Sequence, residues 1–291
     1  MAGQPVVRLP VGDHEIGRGT CRKGLGAASC LLACMDFERL VIRDGDRVAA
    51  SGRLVRDSRG DWFQPSLPVA LPGGVERTVR PAGRLAIRVV GADLDVVVNR
   101  FEKAGAIEGW AAVEGVWSGE QLEVDRQSLP SPEPPWSHPW RTPPCPPPAG
   151  GWPKVTPRGD MVLKYDMGDL RATAAAVAVT LFRPADGAAV LVVAASDEAA
   201  VEAQLRPQLG DLLCVVPSRW TKAELDRVCG YLHEHHEQWD LYQWGPHVQG
   251  DGQPCVSARL VRVLPEIAAW AVSLPAGILV LEPWLAPQRA S

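Results

Sequence analysis

Hydrophobic and polar residues alternate with a period of two along residues 39–127, and this pattern predicts β-strands. Within residues 46–56 the alternation places on one face Val48, Ala50, Gly52 and Leu54. Further strands are predicted at Trp62 and Phe63, and at residues 84–90, 94–98, 109–117 and 121–124. Turn residues separate these runs, so the segment predicts about five or six short strands in a small all-β barrel or sandwich.

The last predicted hairpin has the sequence IEGWAAVEGVW at residues 107–117 and QLEV at residues 121–124. This pattern resembles the closing hairpin of OB-fold proteins, in which a glycine-marked strand, a short turn and a final Leu-x-Val strand close the barrel. The resemblance implies an OB-like barrel over residues 39–127. OB-folds that bind nucleic acid present aromatic and basic side chains on strands 2 and 3, and here that segment offers Trp62 and Phe63 as binding candidates.

A proline-rich segment follows, and it is predicted to be a linker. Twelve prolines lie between Ser128 and Gly159. Proline fixes the dihedral φ and lacks the amide donor that helices and sheets need, so a semi-rigid polyproline-II spacer is expected. The segment also contains Trp136, Trp140 and Trp152. Because a spacer has no need of tryptophan, at least one of the three is expected to pack onto a folded part, and all three are binding candidates.

Residues 160–288 alternate helical and strand patterns in the predicted order ββαβαββαβ. Ser196 is the expected N-cap of the first helix. Thr221 and Glu224 predict a capping box at the second helix, and Pro265 is expected at the first position of the third. This order predicts an α+β sandwich with one mostly antiparallel sheet and helices on one face.

Part of this second half also has a recognisable arrangement. The helix sequence TKAELDRV begins at Thr221, a Trp244-Gly245 turn follows, and VSARL forms a strand at residues 256–260. Together these elements, over residues 221–285, resemble small α/β modules found beside or within secreted actinobacterial peptidases. The resemblance implies a fold and a source, and it includes no catalytic residue.

The charge is distributed unevenly. Residues 1–128 hold 17 basic and 17 acidic side chains, whereas residues 160–291 hold 10 basic and 16 acidic ones. Neither half has the basic surplus that phosphate backbones select for, so nucleic acid is not the expected partner. The predicted division is into an extension (1–38), a barrel (39–127), a linker (128–159) and an α+β domain (160–288).

Seven cysteines is an odd number, and their spacing is not that of a disulfide scaffold. Cys214 and Cys255 lie in apolar strand patterns, and Cys229 lies on a predicted helix. All three are expected to be small hydrophobic residues with free thiols in a reducing compartment, which predicts a cytoplasmic protein.

The N-terminal region leaves an alternative open. The sequence LLAC at residues 31–34 follows a short apolar run with a basic flank, which is the pattern of an exported lipoprotein anchored at Cys34. Met1 and Met35 are both candidate starts. No run approaches the ~18 apolar residues that a membrane-spanning helix needs.

The densest cluster of potential metal ligands is LHEHHE at residues 232–237. His233 shares a helix face with His236 and Glu237, and Asp240 extends the row. The H-E-x-x-H pattern is missing, and a solvated polar helix face is the alternative. No cofactor is indicated otherwise, and without a G-x-S-x-G or P-loop pattern no catalytic residue is assigned.

Three functions remain open. The first is a non-enzymatic binding or scaffolding protein with a protein partner, because the chain contains 11 tryptophans, a residue that dominates interfaces. The second is an OB-type binder of single-stranded nucleic acid. The third is a metal-assisted enzyme that uses the 233–240 helix.

Overall fold

The described part of the first half of the chain is mostly β-structure, as predicted. The computed structural model describes residues 36–65, 83–103, 105–130, 142–154, 175–184 and 188–288. A 3-10 helix at Phe37–Leu40 precedes six strands: β1 (Arg47–Asp57), β2 (Gly60–Gln64), β3 (Ile87–Val90), β4 (Val98–Lys103), β5 (Ala106–Ser118) and β6 (Gln121–Ser128).

Five of these strands pair into a ring. β1 pairs antiparallel with both β2 and β5, and β2 pairs antiparallel with β3. β3 is parallel to β6, and β6 is antiparallel to β5, which closes the circuit. Outside the ring, β4 pairs with the first half of β5, and the short β13 (Ala286–Pro287) pairs with β1. The result is a seven-stranded, partly ring-like sheet.

Hydrophobic residues of the predicted alternating pattern form the interior of the ring. Val48, Leu54, Phe63 and Leu122 are buried in one cluster, and their neighbours in sequence lie outside that cluster. Gly115 lies beside a register shift between β5 and β6, where a β-carbon would collide with the main chain of Glu123. Glycine is therefore required there for close approach of the two strands.

The strand that was predicted at residues 94–98 is wrong, because turns occupy most of that segment. The carboxylate of Asp93 accepts a hydrogen bond from the Asp95 N–H (2.8 Å), which forms a turn. The side-chain amide of Gln127 donates to the main-chain carbonyls of Asp93 and Val96, both at 2.6 Å. Side chains thus satisfy main-chain groups that a strand would pair, and the strand β4 begins only at Val98.

The second half has the predicted element order. Its elements are β7 (Ala176–Phe182), β8 (Val190–Ala195), α1 (Glu198–Leu209), a 3-10 turn (Gly210–Leu212), β9 (Leu213–Pro217), α2 (Lys222–Glu234), β10 (Leu241–Val248), β11 (Pro254–Leu260), α3 (Pro265–Val272) and β12 (Leu279–Pro283). The described part of the chain is thus mostly β-sheet with a few helices.

The prediction of a single sheet in this half is wrong, because the described strands form two sheets of three strands each. In the first, β8 pairs antiparallel with β7 and parallel with β9. In the second, β11 pairs antiparallel with β10 and parallel with β12. Each sheet is therefore a hairpin, a helix and a returning parallel strand, and the same unit occurs twice.

The helix ends follow the sequence signals with one exception. Thr221 and Glu224 form the predicted capping box of α2, and Pro265 starts α3. At α1 the cap is Asp197 rather than Ser196, because the Asp197 carboxylate accepts the Ala200 N–H at 3.0 Å. The Ser196 hydroxyl donates to the Ala175 carbonyl instead. No helix in the described part of the chain is long and apolar enough to cross a membrane.

The C-terminal residues contribute to the core of the strand ring. Val261 and Leu285 are buried in the same cluster as Phe63. The Trp284 indole N–H donates to the Ser51 carbonyl at 2.8 Å, and its ring lies 4.7 Å from that of Phe63. The two halves are therefore in contact, and their division into separately folding domains stays a prediction.

Residues 142–154, which we call the strap, lie against the second half. Cys145 forms a disulfide with Cys214 of β9, with a Cα–Cα distance of 5.8 Å. Pro143 is buried, and Trp152 packs against the core of the second half. The expected docking of one linker tryptophan is thus confirmed for Trp152.

The disulfide corrects the prediction of free thiols. Cys214 lies in a buried strand as expected, but its sulfur is bonded to Cys145. Cys229 on α2 and Cys255 on β11 form no disulfide, as predicted. The argument for a reducing compartment loses the support of Cys214, and the cytoplasmic location stays a prediction.

Candidate binding surface

Trp62 lies on the outward face of β2, beneath two arginine side chains. The guanidinium carbons of Arg59 and Arg88 are 5.5 Å and 5.8 Å from the centroid of the indole ring. Both distances are within the range of cation–π contacts. Arg88 lies directly opposite Trp62 in the β2–β3 pairing, and Arg59 lies in the β1–β2 turn. We call these three residues the Trp62 surface.

Asp57 fixes the geometry of this surface. Its carboxylate accepts hydrogen bonds from the Arg59 N–H and the Arg59 guanidinium, both at 2.8 Å, and from the Trp62 indole N–H at 3.3 Å. The Arg59 side chain lowers the pKa of Asp57 to about 2. Asp57 is therefore an anion at neutral pH that holds Arg59 and Trp62 in place.

Arg88 is exposed, and it forms no ion pair with any residue that the structure describes. Arg59, by contrast, is paired with Asp57. The Trp62 surface therefore offers the planar ring of Trp62 and two cations. Arg59 is held by a carboxylate, whereas Arg88 is not. A ligand with a flat or anionic group satisfies this chemistry.

The prediction that Phe63 belongs to a binding surface is wrong. Its side chain has no solvent exposure and lies inside the ring of strands. Because successive side chains of a strand point to opposite faces, only one of two adjacent residues can face a ligand. Trp62 and Phe63 are adjacent on β2, and Trp62 is the outward one.

Sequence reasoning missed Arg59 and Arg88, although a signal for each was present. Arg59 lies three residues before Trp62, in a turn of the sequence Asp57-Ser58-Arg59-Gly60. Arg88 is the outward residue between Ile87 and Val89, which are both buried. The register between β2 and β3 decides that it meets Trp62, and that register depends on 17 intervening residues, 66–82, outside the described part.

Of the three linker tryptophans, Trp152 lies in the described part of the chain, and it does not add to this surface. Trp152 is half-buried against the core of the second half, so its ring has a structural role in the strap. Trp136 and Trp140 lie outside the described residues, and their role as binding candidates stays a prediction.

The proposed metal ligands are brought together only in part. The rings of His233 and His236 are stacked with centroids 5.5 Å apart, and the Trp244 ring lies 5.5 Å from His236. Asp240 pairs instead with Arg84, with its carboxylate 3.1 Å from the guanidinium. Among the residues described, no three histidine, cysteine, aspartate or glutamate side chains are grouped so that they could hold a metal, and Glu237 joins no such group.

A second aromatic group lies at the same end of α2. The Tyr231 ring stacks on His235 at 4.2 Å and on Trp270 of α3 at 4.6 Å. Trp239 is buried beneath them, 5.4 Å from Trp270. These contacts join α2 to α3, so Trp239 and Trp270 have a structural role in packing.

Sequence reasoning also missed a histidine–cysteine pair on the β10–β11–β12 sheet. His247 of β10 lies opposite Cys255 of β11, with Nε2 3.5 Å from the sulfur. Burial lowers the pKa of His247 to about 4 and raises that of Cys255 to about 12. Both side chains are therefore neutral at pH 7, and a buried neutral thiol is not a nucleophile.

The buried histidine predicts a loss of stability in acid. In the unfolded chain His247 gains a proton as the pH falls below its ordinary pKa of 6.5, whereas in the folded protein it stays neutral down to about pH 4. Proton uptake by the unfolded state alone lowers the free energy of unfolding, by up to about 3 kcal/mol between pH 6.5 and 4. We expect the free energy of unfolding of His247→Gln to fall less steeply than that of the wild type between pH 6.5 and 4.

Urea unfolding of wild type and His247→Gln at pH 7.5, 6, 5 and 4.5 measures this effect. The difference between the two proteins at pH 7.5 gives the packing cost of the substitution, because His247 is neutral in both states there. The difference in slope between pH 6 and 4.5 then isolates the titration of His247. An equal slope in both proteins contradicts the prediction.

Comparison with known proteins gives no relative from which a role can be transferred. No family model, no curated protein and no solved structure matches this chain.

Proposed function

We propose that this chain is a non-enzymatic binding protein in which an OB-type barrel presents the Trp62 surface to a protein partner. The strand pairing supports the OB assignment. A five-stranded antiparallel ring in which the third and last strands are parallel matches the Greek-key barrel of OB-folds, with β4 as an added edge strand. On this assignment residues 47–128 form the barrel.

The observation that carries the proposal is the position of the Trp62 surface. OB-folds bind ligands on the face of strands 2 and 3 and on the loop between strands 1 and 2. Trp62 lies on β2, Arg88 on β3 and Arg59 in the β1–β2 turn. Tryptophan and arginine are also the residues that dominate protein interfaces.

The charge of the chain favours a protein as the partner. The 17 basic and 17 acidic side chains of residues 1–128 leave no surplus for a polyanion. Around the Trp62 surface, Arg56 is paired with Asp61, and Arg53 is paired with Glu108, so two further arginines are neutralised. Among the described residues of the Trp62 surface, Arg88 is thus the one cation without an ion pair, and such a small charged region suits a protein interface.

Single-stranded nucleic acid is the second candidate, because an indole ring with two arginines is also a platform on which bases stack. A metal-assisted reaction at residues 233–240 has weaker support, since the ligands there are not grouped within the described part.

The test compares three variants of the full chain. Trp62→Ala and Arg88→Ala each remove one member of the Trp62 surface. Arg126→Ala removes a matched arginine of the same sheet, which is exposed and paired with Glu114. Affinity capture from extracts of the source organism, followed by titration of the recovered partner, measures binding. We expect Trp62→Ala to weaken binding at least about thirtyfold, the loss typical of a central hot spot, and Arg126→Ala to leave it unchanged.

The same proteins are titrated with a labelled oligothymidylate at 20, 50 and 200 mM salt. Tight binding that weakens steeply with salt and is lost in Trp62→Ala favours the nucleic-acid candidate over the protein partner. If neither the captured partner nor the oligonucleotide distinguishes Trp62→Ala from Arg126→Ala, the Trp62 surface is not the ligand site and the proposal is wrong.

A further inference from the structure

The strap, residues 142–154, spans the two three-stranded sheets of the second half. Its disulfide joins Cys145 to Cys214 of β9, in the first sheet. One residue earlier, Pro144 packs beside Gly252, in the turn between β10 and β11 of the second sheet. A β-carbon at Gly252 would lie 3.1 Å from Pro144 and 3.5 Å from Val216 of β9. The strap therefore crosses from one sheet to the other.

Few interactions other than the disulfide hold the strap. Within the described ranges its only main-chain hydrogen bond is internal, from the Gly151 N–H to the Pro148 carbonyl at 2.9 Å. Its prolines have no amide hydrogen to donate to β9. Apolar packing of Pro144 and Trp152, together with the buried Pro143, adds to the attachment. The strap thus lies against the sheets without being paired to them.

The strand beneath the strap is a sheet edge. Among the strands that the structure describes, β9 is the outer one of its sheet, and it pairs on one side with β8. An edge strand offers unpaired main-chain groups to other chains unless something covers it. The Cys145 sulfur lies 3.9 Å from the Val215 carbonyl oxygen, so the strap contacts the main chain of β9.

We propose that the Cys145–Cys214 disulfide is a redox-controlled latch: its reduction by a dithiol releases the strap and uncovers the outer edge of β9. Cys145 is partly exposed whereas Cys214 is 1% exposed, so the attack falls on the Cys145 sulfur. A reductant thiolate bonds to that sulfur, and Cys214 leaves as a thiolate. The second thiol of the reductant then closes its own disulfide and releases Cys145. Two electrons pass to the protein, and the cysteines take up two protons.

Hydroxyl-radical footprinting of the full chain tests the latch, because its rate at each side chain follows solvent exposure. The oxidised wild type is compared with Cys145→Ser, in which the bond cannot form. We expect labelling of Trp152 to rise about threefold or more as the strap leaves the core, and labelling of the buried Trp117 in the strand ring to stay unchanged. Cys229→Ser is the matched control, since it removes a cysteine outside the disulfide.

Wild-type protein reduced with a dithiol and then freed of it provides the second comparison. It keeps both cysteines and is expected to label as Cys145→Ser does. Unchanged labelling of Trp152 in both preparations would falsify the latch, because packing alone would then hold the strap. The latch is also overturned if the labelling of Trp117 rises as much as that of Trp152 in both preparations. The disulfide would then hold the whole fold together rather than the strap alone.

Discussion

Replacing Phe63 by alanine is expected to lower the free energy of unfolding by about 3–5 kcal/mol, the usual cost of removing a fully buried phenylalanine. The side chain has no solvent exposure, and it lies inside the ring of strands. Its removal leaves a cavity that neighbouring side chains fill only in part, because β2 is fixed by its pairing with both β1 and β3.

The substitution also reaches the C-terminal residues. The Phe63 ring contacts that of Trp284, whose indole N–H is bonded to the Ser51 carbonyl. Leu285, the next residue, is buried in the same cluster. Loss of the Phe63 ring therefore weakens the contact between the strand ring and the end of the second half as well as the interior of the ring itself.

Guanidinium unfolding followed by circular dichroism measures this loss, with Trp62→Ala as the neighbouring control. Trp62 lies outside the ring and is partly exposed, so its truncation creates no cavity in the interior. We expect the two adjacent aromatic residues to have opposite roles, Phe63 in stability and Trp62 in binding. A cost below about 1 kcal/mol for Phe63→Ala contradicts its placement in the core.

Local patterns in the sequence were sufficient for most of the elements. The alternation over residues 46–56 predicted the buried face of β1, because side-chain direction in a strand follows from the backbone alone. The capping box at Thr221 predicted the start of α2 for a similar reason, since both partners lie within one helical turn. The order of strands and helices in the second half followed from such signals.

Features that depend on distant residues were not predicted. The pairing of β13 with β1 joins residues nearly the whole described chain apart, and nothing local in Ala286 or Pro287 indicates it. The split into two sheets depends on which strands meet. Likewise, the register that brings Arg88 to Trp62 is a tertiary property. The sequence therefore showed the tryptophan of the Trp62 surface and missed both of its arginines.

The disulfide was missed for the same reason. Cys145 lies among prolines and Cys214 in a strand, 69 residues away. Cysteine spacing identifies a pair only in short, cysteine-rich frameworks, and this chain has seven cysteines in 291 residues. Chain packing alone brings the two sulfurs together.

Loss of that bond is the second large effect that we expect. A cross-link over 69 residues restricts the unfolded chain, and the chain-entropy relation gives about 4 kcal/mol for a loop of this size. Cys145→Ser is the better variant, because Cys214 is buried in the core and a serine hydroxyl there would add a desolvation cost. Chemical denaturation of oxidised wild type and Cys145→Ser measures the change.

Cys229→Ser distinguishes the cross-link from the loss of a cysteine as such, because Cys229 lies on α2 outside the disulfide. It should change stability far less than Cys145→Ser does. The denaturant dependence of the unfolding free energy should also increase in Cys145→Ser, since an unfolded chain without the cross-link is more expanded and exposes more surface. A stability change below about 1 kcal/mol, with an unchanged slope, would show that the strap lies close to Cys214 even in the unfolded ensemble. In that case the bond would restrict little, and its role would be confined to holding the strap in the folded protein.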